Sequence, residues 1–135
     1  MAGEQTGPEH TTAVLRRYWE AWQAGDVATV LALYSEDLTL HYFGDNPMAG
    51  AHRGKPAALA ALGKISARVR RRVIEVQDIL AGATRGVVLA REEFERDGRR
   101  FELERVFVYR VEGGLVAECW IYDQDQRLVD RLLAD

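Results

Sequence analysis

The run Gly86-Val-Val-Leu-Ala-Arg-Glu-Glu-Phe-Glu-Arg96 is followed by Asp97-Gly98 and then by Arg99-Arg-Phe-Glu-Leu-Glu-Arg-Val-Phe-Val-Tyr-Arg-Val111. Both long runs read as strands, and the two residues between them tolerate positive φ, which predicts a tight β-hairpin. Outward from it, Arg70–Ala81 and Leu115–Gln124 read as two further strands, the latter joined through the tight turn Glu112-Gly113-Gly114. The second half of the chain is therefore expected to be a sheet of long antiparallel strands over 70–81, 86–96, 99–111 and 115–124.

The first half reads differently. Leu15, Tyr18, Trp19 and Trp22 recur at i, i+3, i+4, i+7, the stripe of an amphipathic helix over 11–24, with Thr11 or Thr12 as N-cap. Gly25 ends it, and Asp26 caps a second helix whose stripe is Val27, Val30, Leu31 and Tyr34. From Asp37 the period drops to two, with Leu38, Leu40 and Tyr42 alternating with Thr39, His41 and Phe43 in a strand. Gly44–Pro47 breaks it, Ala49–Arg53 reads as a short strand, and Pro56 opens a third helix through Ala67 with Leu59, Leu62 and Ile65 inward. Helices first and hairpins after define an α+β domain with helices on one face of a bent sheet. The expected organisation is a disordered leader at 1–10 and a single domain at 11–135.

Composition narrows the function classes. The 135 residues are 47% hydrophobic and 29% charged, as in one globular domain with a core of its own. Eighteen basic and 21 acidic residues give a net charge of -3, which argues against a nucleic-acid partner. The basic run Arg68-Val69-Arg70-Arg71-Arg72 reads as a solvated helix end entering an edge strand rather than a phosphate patch. Only Lys55 and Lys64 are lysine, a bias that hints at a high-GC bacterial source. No apolar run approaches the ~18 residues of a membrane span, and residues 1–10 lack the pattern of a secretory signal. The single cysteine, Cys119, cannot close an internal disulfide, which fits a reducing cytoplasm. Glycine-rich phosphate loops, nucleophile elbows and metal-ligand spacings are all missing; His41 and His52 lie eleven residues apart without companions. No cofactor and no metal are expected.

Three segments resemble the SnoaL-like branch of the nuclear transport factor 2-like superfamily, which includes polyketide cyclases and ketosteroid isomerase-like proteins. Tyr18-Trp19-Glu20-Ala21-Trp22-Gln23-Ala24-Gly25-Asp26 is similar to its helix–Gly-Asp–helix opening. His41–Gly54 looks like its strand–loop signature, and Val106–Trp120 with Asp125, Gln126 and Asp130 is similar to its final hairpin and tail. Together they cover about residues 12–131 in order. The resemblance implies a cone-shaped barrel of strongly curved, mostly antiparallel sheet, with three N-terminal-half helices on its concave face around one pocket. It also implies a homodimer. It does not choose among activities, because this fold hosts isomerases, cyclases, dehydratases, epoxide hydrolases and binders.

The resemblance implies that the last strand lines the pocket and that a carboxylate near its end acts as base. Alternation puts Cys119, Ile121 and Asp123 on one face and Glu118, Trp120, Tyr122 and Gln124 on the other. Asp123 and Asp125 are the candidate bases, since an acid walled by apolar groups becomes more basic; the alternative makes both solvated tail residues. His41, mid-strand, is a candidate donor to a developing enolate, and His52 could reach the pocket mouth. Tyr18, Trp19, Trp22, Tyr34, Phe43, Trp120 and Tyr122 are expected to share core and pocket wall. Glu92, Glu93, Glu102 and Glu104 with Arg91, Arg105 and Arg110 are denser in charge than buried strands allow. Arg105 falls among Phe101, Leu103, Phe107 and Tyr109, and a buried arginine needs a carboxylate partner. An Asp–Arg pair in a pocket resembles the epoxide-hydrolase branch; a snorkelling Arg105 at a dimer interface is the other reading. The expectation is an enzyme acting by carboxylate acid–base chemistry on a small hydrophobic ketone of polyketide, steroid or terpenoid type. Asp–Arg epoxide opening and a non-catalytic binding module are the alternatives.

Overall fold

A computed structural model describes residues 7–135. The expected leader falls largely outside them, and helix α1 already begins at Pro8. The elements follow as α1 (Pro8–Ala24), α2 (Val27–Leu33), β1 (Tyr34–Tyr42), β2 (Gly50–Arg53), α3 (Lys55–Arg68), β3 (Arg70–Ala81), β4 (Arg85–Arg96), β5 (Arg99–Glu112), β6 (Leu115–Asp123) and α4 (Gln126–Leu133). Six strands form one sheet in the order β2-β1-β6-β5-β4-β3. Every neighbouring pair is antiparallel except β1 and β6, which run parallel. The sheet curves around a hollow but stays open at β2 and β3, so it is a cone-like half shell and not a closed barrel.

Local chemistry explains the elements. Pro8 occupies the first turn of α1, where its missing N–H costs nothing, and Leu15, Tyr18 and Trp19 are buried along one stripe. Gly25 ends α1 in the left-handed conformation at φ 70°. Asp26 caps α2, accepting from the Thr29 N–H at 3.1 Å and the Thr29 hydroxyl at 2.6 Å. Asp97 and Gly98 both adopt positive φ and join β4 to β5 in the two-residue turn their types predict. Helix α1 lies directly on the sheet at Gly86, where a β-carbon would collide with the fully buried Leu15.

Two elements depart from expectation. Tyr34 belongs to the apolar stripe of α2 by spacing, but the helix stops at Leu33 and Tyr34 opens β1 opposite Val116. The segment after β6, expected as a tail, is helix α4. Asp125 caps it by accepting from Leu128 N–H at 3.1 Å, and Val129, Leu132 and Leu133 are buried. Arg96 donates to the carbonyls of Leu132 (2.5 Å) and Ala134 (2.8 Å), satisfying the open end of that helix. At the other end Gln126 donates to Asp130 (2.9 Å) and to the Phe43 carbonyl (3.1 Å), and Asn46 donates to Asp130 at 2.9 Å. Those contacts pin the β1–β2 loop onto α4. No helix among the described residues is long and apolar enough to cross a membrane.

Candidate functional site

The strand register decides what reaches the hollow. Leu40 and Tyr42 of β1, Cys119, Ile121 and Asp123 of β6, and Arg105, Phe107 and Tyr109 of β5 share the inner face. Pairing with β4 and β3 adds Ala90, Glu92 and Phe94, then Arg71 and Val73. Between this face and helices α1 and α3 lies a cavity of about 580 Å³. It is large enough for a small organic molecule. Trp19 and Trp22 wall this space without filling it.

One end of the cavity is aromatic. The Tyr18 and Tyr34 hydroxyls meet at 2.5 Å, and the Tyr18 ring packs edge-on against Tyr34 and Tyr109. Burial raises the pKa of all three phenols, so they remain proton donors. Burial also pushes the Cys119 thiol up to about 12, which removes it as a nucleophile near neutral pH.

The other end is ionic. The Arg105 side chain is 0% exposed and Asp123 is 2% exposed. Arg105 donates from Nε to Asp123 Oδ1 at 2.5 Å and from Nη2 to Oδ2 at 3.1 Å. It donates from Nη1 to Glu92 Oε1 at 3.1 Å and from Nη2 to the Tyr42 hydroxyl at 3.2 Å. The guanidinium carbon sits 4.9 Å from the Phe94 ring centroid and 5.3 Å from that of Phe107. Burial disfavours its charge, but Asp123, Tyr42 and Glu92 more than offset this and hold its pKa well above the ordinary value. Burial likewise raises the Tyr42 hydroxyl, against the pull of Arg105. Both Asp123 oxygens are engaged by Arg105. Glu92 differs: it lines the cavity, and no hydrogen bond from the described residues reaches its Oε2.

The sequence-nominated residues divide cleanly. Tyr18, Trp19, Trp22 and Tyr34 line the cavity. Arg105 and Asp123 lie just behind its wall as a locked pair. Asp125 is exposed and serves as the α4 cap. His41 lies on the outer face, because it pairs with Trp120 and shares that residue's parity; the two rings stack at 4.9 Å. Its Nε2 donates to Glu118 Oε2 at 2.5 Å. Trp120, Tyr122 and Phe43 occupy the same outer face, Tyr122 being 46% exposed and stacked on Phe43. His52, on edge strand β2, donates to the Met48 carbonyl at 2.7 Å. Glu92, Arg71, Ser66, Phe107 and Tyr109 are among the cavity groups not nominated. Glu92 had a visible signal, an acid alternating with Ala90 and Phe94; Arg71 had only its parity with Val73. Among the described residues no three His, Cys, Asp or Glu side chains gather as a metal site.

An open, curved, mixed sheet wrapped with helices around a cavity that has one buried ion array defines the class, and comparison supplies the family. Residues 15–119 match the SnoaL-like domain. The chain belongs to that family. Its structure is similar to an NTF2-like protein of Burkholderia xenovorans LB400, at 27% identity, TM-score 0.77, and 97% of this chain covering 99% of that one. It is similar to a candidate polyketide cyclase of Xanthomonas campestris pv. campestris, at 16% identity, TM-score 0.77, covering 94% and 98%. It is also similar to an LEH-like epoxide hydrolase of M. tuberculosis, at 19% identity, TM-score 0.68, covering 93% and 90%. The last two identities establish a common fold and nothing finer.

Proposed function

We propose that this domain is a cofactor-independent enzyme that moves a proton at a carbon next to a carbonyl in a small, largely apolar ketone. That step is shared by isomerisation, cyclisation and dehydration of polyketide-, steroid- or terpenoid-like compounds. The observation that carries the reading is Glu92: one oxygen fixed by a fully buried arginine, the other open, in the only carboxylate among the described residues that line the cavity. Arg105 has two carboxylates around it, so with both ionised the array carries one negative charge in excess. Glu92 Oε2 takes the proton from the α-carbon, and the charge passes to the carbonyl oxygen as an enolate. A neutral tyrosine hydroxyl of the Tyr18–Tyr34–Tyr109 group donates to that oxygen, and Glu92 returns the proton to carbon. Asp123 acts through Arg105, as a positioning residue.

The test is deuterium uptake from D2O at the α-carbons of a panel of cyclic enones and 1,3-diketones. Wild-type protein is expected to accelerate uptake into at least one member, and Glu92→Gln to slow it by about 10²–10⁴-fold with the circular dichroism spectrum unchanged. A wild type inert toward the whole panel, or an equally active Glu92→Gln, removes the proposal. A pure binding module predicts the first of these results together with retained affinity.

One observation favours a second reading, epoxide opening: Arg105 is held between two carboxylates with a tyrosine hydroxyl beside it. There Glu92 would activate water. Oxygen-18 water separates the two, since only epoxide opening puts the label into a product diol.

A further inference from the structure

Arg71 is an inward-facing cation to which the protein gives no carboxylate. It stands on β3 with Val73 on the inner face, while Arg72 turns the other way to Glu93 at 3.5 Å. Its Nη2 donates to the Ser66 hydroxyl at 2.9 Å, which fixes the guanidinium at the cavity wall where α3 meets β3. Among the described residues no carboxylate oxygen comes within 4 Å of it. The nearest acid on the inner face, Glu92, has its Oε1 committed to Arg105. Burial lowers the Arg71 pKa, and Glu92 offsets this only in part. A partly buried guanidinium with no direct ion pair among the described residues has donors to spare, and arginine's flat fork matches a carboxylate with two parallel hydrogen bonds.

We propose that Arg71 is an anion subsite, and that the cavity takes a small carboxylate carried on an aromatic or alicyclic body. The carboxylate completes the missing ion pair at Arg71, and the body lies against Trp19, Phe107 and Ile121. The proposal rests on the reading of this cavity as a small-molecule site and narrows its substrate class to acids. The acid group would be a handle and not the reacting centre: a ligand gripped at Arg71 extends its apolar part past Glu92 toward the tyrosines.

Calorimetric titration with 4-biphenylcarboxylate and its neutral isostere 4-biphenylcarboxamide tests this directly. Wild-type protein is expected to bind the carboxylate about tenfold more tightly or better, the order of one charge-assisted bidentate contact. Arg71→Gln should bring the two probes within about twofold of each other, while Arg71→Lys, the milder change, should keep a reduced preference. Glu92→Gln should keep the full preference or enlarge it, because a nearby negative charge is gone, even as deuterium uptake is lost. Equal affinities in the wild type, no binding of either probe, or a preference that survives Arg71→Gln each overturns the subsite. A wild type that shows no preference for the carboxylate yet keeps Glu92-dependent exchange overturns the subsite alone.

Discussion

Strand β6 carries two carboxylates that each meet an arginine of β5 directly across the ladder, and the two pairs lie on opposite faces of one sheet. Asp123 faces Arg105 and Glu118 faces Arg110. The inner pair is sealed from solvent; the outer one is open, with side chains 32% and 21% exposed and an Nε···Oε1 distance of 3.2 Å. The outer acid also binds His41, and Arg110 reaches a second exposed acid, Glu112, at 2.7 Å. Identical functional groups thus have opposite standing. Inside, each charge exists only because its partner does; outside, water can replace any member. Burial, more than pairing, makes the inner array a candidate for chemistry.

The largest expected effect comes from removing the shared cation. Arg105→Met strands two acids on the inner face and should cost about 3–5 kcal/mol in urea unfolding. Arg110→Met should cost no more than about 1 kcal/mol. Equal losses would break the contrast. A smaller effect is expected at the edge of the inner array, where Tyr42→Phe deletes the 3.2 Å bond to Arg105 and should cost about 0.5–1.5 kcal/mol.

The smallest effect is pH-dependent and belongs to the outer face. Burial pushes the Glu118 pKa up, but hydrogen bonds from His41 and Arg110 outweigh it and leave the value below the ordinary one. A carboxyl depressed in the folded state stabilises above its unfolded pKa of about 4.3, and that contribution disappears as pH falls through the folded value. The stability gap between wild type and Glu118→Gln should be at most about 1 kcal/mol near pH 6 and shrink toward pH 3. A gap that grows on acidification contradicts the assignment.

Much of the inner face was legible beforehand. Arg105 among Phe101, Leu103, Phe107 and Tyr109 signalled a buried arginine in need of an acid, and parity put Asp123 on the same side as Cys119 and Ile121. Pairing of β5 with β6 then makes them neighbours. What escaped depended on partners far along the chain. Glu92 was visible as a charge inside a strand, yet its role follows from β4 lying next to β5 in a register that offsets it from Arg105. Arg71 sat in a run of arginines whose exposed members masked it. His41 sits mid-strand in a segment that looked like a pocket signature, but its period aligns it with Thr39 and Phe43, away from the apolar set. Helix α4 holds Leu128, Val129, Leu132 and Leu133 behind an Asp cap, too short to declare itself without the sheet and loop it docks against.

The placement of β6 has a consequence for how the domain comes together. This strand is the last made and yet stands in the middle of the sheet. Before it arrives, β2-β1 and β5-β4-β3 share no strand pairing, and Arg105 lacks Asp123. Assembly must therefore thread a late keystone between them, a long-range closure that slows folding and ties it into one event. Quenched hydrogen exchange during refolding should find amides of β1 and of β5 gaining protection in the same phase as those of β6.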